Sequence, residues 1–478
     1  MAMGQSKRER QSELWIAGTA LPCTPGHPFY RRLNAILHNQ NFDSFVEQEC
    51  APYYTDKVGR PSMPPTVYFK LLFVGYFEGI DSERGIAWRV ADSMALRDFL
   101  GYAITDSTPD HSTISRTRRL LSLETHQAVF TWVLGALTDA KLLTGNTLGI
   151  DATTLEANAA LRSIVRRDNG ETYDEFLDGL ATASGIETPT RDDRSKIDKN
   201  RKGKGSNKDW KSPSDPDARI TKMKDGRTHL AHKCEHAIDM DSGAIVSVTV
   251  QGADLGDTTT MHPTLEQAQS TISEVAQTRN RRSKLKPLRE VVADKGYHSN
   301  AVLSTLHEDH GLTTCISEPN RGRRKWKGKK DEQKAVYKNR GRIKSEPGIA
   351  LRKRRSEIVE RSFAHCYETG GMRRTHLRKH ENILKRLLIH TGAFNLSLIL
   401  RKTTGAGTPR GLRESLKNQC AALVASTHRR IRSRIGQLDN LRTHYTAKFL
   451  NQPHTQSNLT SQAFSKCAAG NRAFTTGC

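Results

Sequence analysis

A chain of 478 residues is too long for one ordinary domain and suits two or three. Its 75 Lys+Arg against 51 Asp+Glu leave a formal net charge of +24, which favours a polyanionic partner, because each cation seated on a phosphate releases condensed counterions. The best apolar run, 67–77, is too short for a bilayer and carries Lys70, the polar start MAMGQSKRERQSE lacks a signal's apolar stretch, and eight cysteines without a CxxC pair argue against a zinc finger or a disulfide framework. Composition therefore points to a soluble, intracellular protein that seeks nucleic acid, with no membrane partner.

Residues 1–125 read as helices. Pro64 and Pro65 can open a helix through Tyr68, Leu71, Leu72 and Phe77, closed by Gly79. A second helix over 82–94 puts Ile86, Ala87 and Val90 on one side, and a third starts after Asp106-Ser107-Thr108-Pro109 with a cap residue before proline. Arg116, Arg118 and Arg119 lie on that third helix. Short helices with a basic last one suit a helix-turn-helix DNA reader, and equally a plain helical bundle.

An apolar run, Thr147-Leu-Gly-Ile, then ends in Asp151. Residues 162–227 are rich in Lys, Ser, Gly and Pro and read as a flexible basic insertion. Strands are expected over 229–240 and 244–250, joined by Asp241-Ser242-Gly243. A helix over 258–276, a strand from Arg289 to Asp294, a helix over 299–307 and a strand over 313–316 complete a mixed α/β order. Residues 319–355 form a second basic, low-apolar insertion headed by RGRRKWKGKK. Helices follow around 356–365 and over 382–401. The basic tail over 403–478, with Glu414 and Asp439 among many Arg, reads as loosely folded or disordered.

Two acids, Asp151 and Asp294, end predicted strands, where ligands bind in open α/β sheets. Side by side they would repel unless a divalent cation lay between them. A third, Glu360, comes from the helix after the second insertion. An all-oxygen donor set without Cys or paired His suits Mg²⁺ or Mn²⁺, and two such ions can assist phosphoryl transfer. Each acid also has a plain structural reading. Asp151 or Asp294 can cap the turn after its strand, and Glu360 can be a solvated helix residue.

Three blocks bear on that choice: Gly149-Ile-Asp-Ala-Thr-Thr-Leu-Glu-Ala157, Ala293-Asp-Lys-Gly-Tyr-His-Ser299 and Ile358-Val-Glu-Arg-Ser-Phe363. They resemble the signature blocks of DDE transposases from bacterial insertion sequences. The stretch 59–121, with Arg60-Pro61-Ser62 at its head and Asp110-His-Ser-Thr-Ile-Ser-Arg116 near its end, is similar to the helical domain that precedes the catalytic core in that family. The resemblance spans roughly 35–402.

The resemblance implies a ribonuclease-H-like core over 140–402, preceded by an all-α DNA-binding domain over 1–125. Its metal ligands and catalytic acids would be Asp151, Asp294 and Glu360, holding Mg²⁺ or Mn²⁺, two ions in all. Water would first cut the element's ends, and the freed 3′-hydroxyl would attack target DNA. The partners implied are the terminal inverted repeats and target DNA, bound by a homo-oligomer in a bacterial cytoplasm, at the nucleoid. Candidate DNA contacts are Arg116, Arg118, Arg119, Arg323, Arg324, Lys325, Arg355, Arg361, Arg373 and Arg374. The family's Tyr-Arg-Glu-Lys signature is matched only in part: Arg355 is the nearest upstream Arg, and no Lys holds the expected place. A hydrolysis-only nuclease of the same fold, or a DNA-binding remnant, would be told apart by strand joining and by metal-dependent nicking. Between the two glutamates of the last helix, Glu360 lies beside the apolar Val359 and Glu357 beside the basic run, so Glu360 is expected at the site.

Overall fold

The computed structural model describes residues 27–54, 62–201, 205–223, 225–278, 285–320, 322 and 324–450. Helices come first: α1 (Pro28–Asn39), α2 (Phe42–Cys50), α3 (Pro65–Glu78), α4 (Glu83–Ala91), α5 (Met94–Leu100), α6 (His111–Leu120) and α7 (Leu123–Asp139). Pro65 opens α3, and Gly79 closes it in the left-handed conformation that glycine adopts without strain. Ser82, expected as the first residue of the second helix, caps α4, but that helix stops at Ala91, and Ser93 starts α5 with a cap of its own. Asp110, not Thr108, caps α6: its side chain accepts from Thr113 N. The boundary expected at 125 falls inside α7. Most of α7 is buried, and the apolar core includes residues from Phe29 to Leu412, so the N-terminal helices and the sheet share one interior.

The sheet keeps the predicted order and adds one strand, Arg219–Lys222, that was not expected. Its strands are β1 (Thr147–Glu156), then β4 (Arg219–Lys222), β5 (Thr228–Asp239), β6 (Ile245–Gly252), β7 (Glu290–Ala293) and β8 (Thr313–Ile316); a separate two-stranded ribbon is β2 (Val165–Arg166) with β3 (Trp210–Lys211). In space the main sheet runs β5-β1-β7-β8, with β4 and β6 both paired to β5. β1 is antiparallel to β5 and parallel to β7, and β7 is parallel to β8. This mixed sheet with flanking helices has the ribonuclease-H-like form expected. Helices α8 (Tyr173–Ala183) and α9 (Arg191–Asn200) lie between β2 and β3. Later come α10 (Asp257–Thr278), α11 (Asn300–Glu308), α12 (Lys330–Lys344), α13 (Glu346–Phe363), α14 (His380–Thr404) and α15 (Pro409–Leu450).

Edge strands expose unpaired backbone groups, and here two buried asparagines take them up. The Asn395 side chain of α14 accepts from Ile245 N at 2.9 Å and donates to Ile245 O at 2.8 Å. Asn339 of α12 does the same for Ile316, at 2.9 Å in both directions. Both edges of the core sheet are thereby tied to helices. The stretch containing α14 is the one described segment long and apolar enough to cross a membrane, which corrects the expectation that no run comes close. Its apolar window is 89 % buried in the core, so composition alone makes it resemble a span.

The insertion expected to be flexible over 162–227 is structured where described. A Thr172–Glu175 capping box starts α8, and Trp210 is buried against Tyr173 and Phe176 at ring separations of 4.9 and 5.3 Å. Arg166 and Arg201 lie over these same rings. Mean hydropathy hid a few well-spaced apolar anchors, Ile164, Trp210, Ala218 and Ile220, that form a second small core with Ala157 and Leu230. In the other insertion, over 319–355, α12 and the first part of α13 form within the low-apolar sequence, with Ala335 and Val336 as buried anchors. The first compact unit ends at Arg413. Beyond it the tail, expected to be loose, continues as α15 to Leu450, exposing Leu423, Val424, Ile431, Ile435 and Leu438. Helix formation needs good helix formers and no apolar period.

Candidate active site

Asp151 sits midway along β1, and Asp294 follows the last residue of β7. The register pairs Ile150 with Ala293, which sets the two acids at adjoining positions on neighbouring strands. Burial raises the Asp151 carboxyl above its ordinary range, Arg355 and the Ala152 amide pull it back, and the charges of Asp294 and Asp257 raise it further. Arg355, on α13 and itself buried, places Nη2 2.6 Å from Asp151 Oδ2 and bonds Ile150 O.

Side chains alternate across a strand, so the face of Asp151 also carries Thr153 and their partners on β5, His236 and Cys234. Arg373 reaches this face, donating to Thr153 Oγ1 at 2.9 Å while it pairs with Glu368. The segment from Arg373 to Thr375 bonds to both backbone groups of Glu156 and so lies along the end of β1; Arg374 pairs with the Glu156 carboxylate at 3.8 Å. Tyr367, in a π-helical turn after α13, joins Cys234 Sγ at 2.9 Å and His236 Nε2 at 2.6 Å. Burial holds the His236 imidazole down to about 3, so it is neutral at ordinary pH.

The remaining predicted residues divide. Glu360 is exposed on α13. Glu357 pairs with Arg361 along the same helix, beside Asp241 and Arg354 rather than Asp151. Arg116 and Arg119 are exposed on α6, but Arg118 is buried, bound to Glu83 at 2.7 Å and to Asn382 at 2.8 Å. Arg118 is thus a tie between α6, α4 and α14, and a free phosphate contact there is corrected. Arg324 bridges Glu318 at 2.6 Å and Asn300 at 2.5 Å, while Lys325 is exposed; Arg323 lies outside the described residues.

Sequence reasoning missed Asp257 and Lys233. Asp257 starts α10 and pairs with Lys233 Nζ at 2.6 Å. A Cβ on Gly296 would run into its carboxylate, which locks the start of α10 onto the Asp-Lys-Gly-Tyr turn. An Asp directly after Gly256 and before a helix was a usable N-terminal signal.

Two family models match the chain: Transposase domain (DUF772) over residues 21–120 and Transposase DDE domain over residues 184–396. They cover about two thirds of the chain, in the order that the resemblance implied. The chain belongs to the DDE transposases. No curated protein matches it significantly. The transposase is therefore an enzyme acting on DNA, built on a ribonuclease-H-like core.

DDE transposases generally use divalent metal ions. The donor chemistry at β1 and β7 fits a hard cation: two carboxylates, one of them half-buried, with like charges at adjoining positions on neighbouring strands. Among the described residues no three His, Cys, Asp or Glu side chains close into a ready-made metal site. Asp151 instead has its charge balanced by Arg355.

Proposed function

We propose that this transposase cuts DNA at the ends of an insertion sequence and transfers the freed strand into target DNA, using Asp151, Asp294 and Glu360. The observation that carries the reading is the β1–β7 register, which sets Asp151 and Asp294 at adjoining positions on neighbouring strands. These acids would hold Mg²⁺ or Mn²⁺, two ions in all. When bound, such ions supply the positive charge that activates an attacking oxygen and steadies a leaving one.

The chain's own groups do the rest. Arg355 and Arg373 bring cations to the face of β1 that bears Asp151, and so can orient a phosphate beside it. Arg116 and Arg119 present charge from α6 toward the terminal inverted repeats, and Lys325 offers another free cation after β8. Such contacts position DNA without reading its sequence. The enzyme would act as a homo-oligomer on DNA, at the bacterial nucleoid.

Asp151→Asn, Asp294→Asn and Glu360→Gln test the assignment, since each keeps side-chain size and removes a charge. Mg²⁺-dependent cleavage should disappear in all three, with DNA affinity nearly unchanged. A variant cutting at close to the wild-type rate would remove that residue from the site. Strand joining by the purified full chain separates a transposase from a hydrolysis-only nuclease.

A further inference from the structure

The Tyr of the Asp-Lys-Gly-Tyr turn does not face the reaction. Its hydroxyl donates at 2.7 Å to Glu235 Oε1, in a pair where both side chains are buried. Glu235 lies on β5 opposite Ala152, so it projects from the sheet face opposite Asp151. Two further hydroxyls, from Thr260 at 2.8 Å and Thr264 at 2.5 Å, both on α10, complete its shell. A fully buried carboxylate is costly, and an apolar side chain would fill the volume more cheaply. What the carboxylate adds is direction.

The direction matters because of what lies at the other end of the turn. Tyr297 N donates to Asp294 O at 3.1 Å, closing a single 3-10 turn between the anchored ring and the acid. Asp294 itself is exposed, and β7 ends one residue before it, so no strand pairing holds it. Asp151, by contrast, lies in the middle of β1 and is fixed by its pairing with His236. The Asp257 carboxylate against Gly296 leaves the turn no room to shift toward α10.

We propose that Glu235 and Tyr297 are positioning residues for transposition, holding the Asp294 carboxylate in register with Asp151 from the opposite face of the sheet. This rests on the reading of Asp151 and Asp294 as metal ligands. Mg²⁺ demands near-ideal octahedral geometry, so a turn that drifts weakens metal binding before it affects folding or DNA affinity. Loss of a group that orients a metal ligand typically costs about 10–100-fold in affinity or activity.

The test uses the full chain. Tyr297→Phe keeps the ring and removes the hydroxyl, and Glu235→Gln keeps the shape and removes the charge. Each should lower the single-turnover cleavage rate by about 10–100-fold and raise the half-saturating Mg²⁺ concentration. Mn²⁺ binding without DNA, followed by electron paramagnetic resonance, should weaken in parallel, with DNA affinity within about twofold of wild type. Thr264→Val loosens the same buried carboxylate but leaves the tie to Tyr297. It should lower the melting temperature and leave rate and Mg²⁺ dependence near wild type. The inference is overturned if Tyr297→Phe matches wild type in rate and metal dependence, or if Thr264→Val loses as much of both. Asp151→Asn separates the two levels: residual cutting there sinks the metal-ligand reading, whereas an inactive Asp151→Asn beside a fully active Tyr297→Phe sinks only this inference.

Discussion

The guanidinium of Arg355 and the carboxylate of Asp151 meet at 2.6 Å, a cation from α13 against an acid on β1, and the cation is nearly fully buried. Neither would be stable alone, since an uncompensated charge in a low-dielectric interior costs several kcal/mol. The same guanidinium bonds Ile150 O, so it also joins the helix to the backbone just before the acid.

Arg355→Met should make stability strongly pH-dependent. Burial already raises the folded-state pKa of Asp151, and Arg355 opposes that rise. A raised carboxylate means that the folded chain binds the proton more tightly than the unfolded one. The associated stability is complete below the unfolded value and falls as pH climbs through the folded one. Without Arg355 that fall extends to higher pH. Thermal melts should show a loss of about 2 kcal/mol at pH about 8 and a smaller one at pH about 5; fully buried pairs lose more, but Asp151 is about a third exposed. Adding Asp151→Asn should flatten the difference, and a uniform loss at both pH values would show that Arg355 acts through packing alone.

On α6 the three arginines should separate by assay. Arg118→Ala leaves Glu83 without its buried partner and should lower the melting temperature, with little change in DNA binding once folded. Arg116→Ala and Arg119→Ala should leave the melt unchanged, weaken DNA binding and reduce the salt slope by about one unit each. Unaltered binding in the latter pair would remove α6 from the DNA interface.

Glu357 and Glu360 should differ in cleavage. Glu357 is engaged with Arg361 one turn on, an exposed pair worth only about 0.3–0.5 kcal/mol. Glu357→Gln should therefore reduce cleavage mildly, while Glu360→Gln should eliminate it. The reverse pattern would transfer the third acid to Glu357.

The insertion between β1 and β5 should open on its own when its central ring is removed. Trp210→Ala deletes the largest buried side chain of the second small core, a loss of about 3–5 kcal/mol locally. Hydrogen exchange should then rise across 161–220 while the amides of β1, β7 and β8 stay protected. Simultaneous loss of protection in the sheet would mean that the two cores fold as one.

Much of the chain was legible because its signals are local. Proline and glycine bracket α3, Ser299 caps α11, and the run Thr313–Ile316 is β8 to the residue. Asp294 follows its strand as expected, whereas Asp151, expected to end its strand, lies midway along β1, which continues to Glu156. What the sequence could not say was which distant groups meet. Arg118 and Arg116 look alike on one helix, yet one is drawn inward by Glu83 and Asn382 while the other stays in solvent. Residues 162–227 average out as polar, yet a handful of rings and aliphatics suffice to fold the part described. The Arg355–Asp151 pair and the Glu235–Tyr297 bond join residues far apart in sequence, and neither leaves a periodic trace. Local backbone preference specified most elements of this transposase, and its sequence blocks pointed to the candidate acids; only the packing of those elements decided which charges are buried, and burial is what makes a partner necessary.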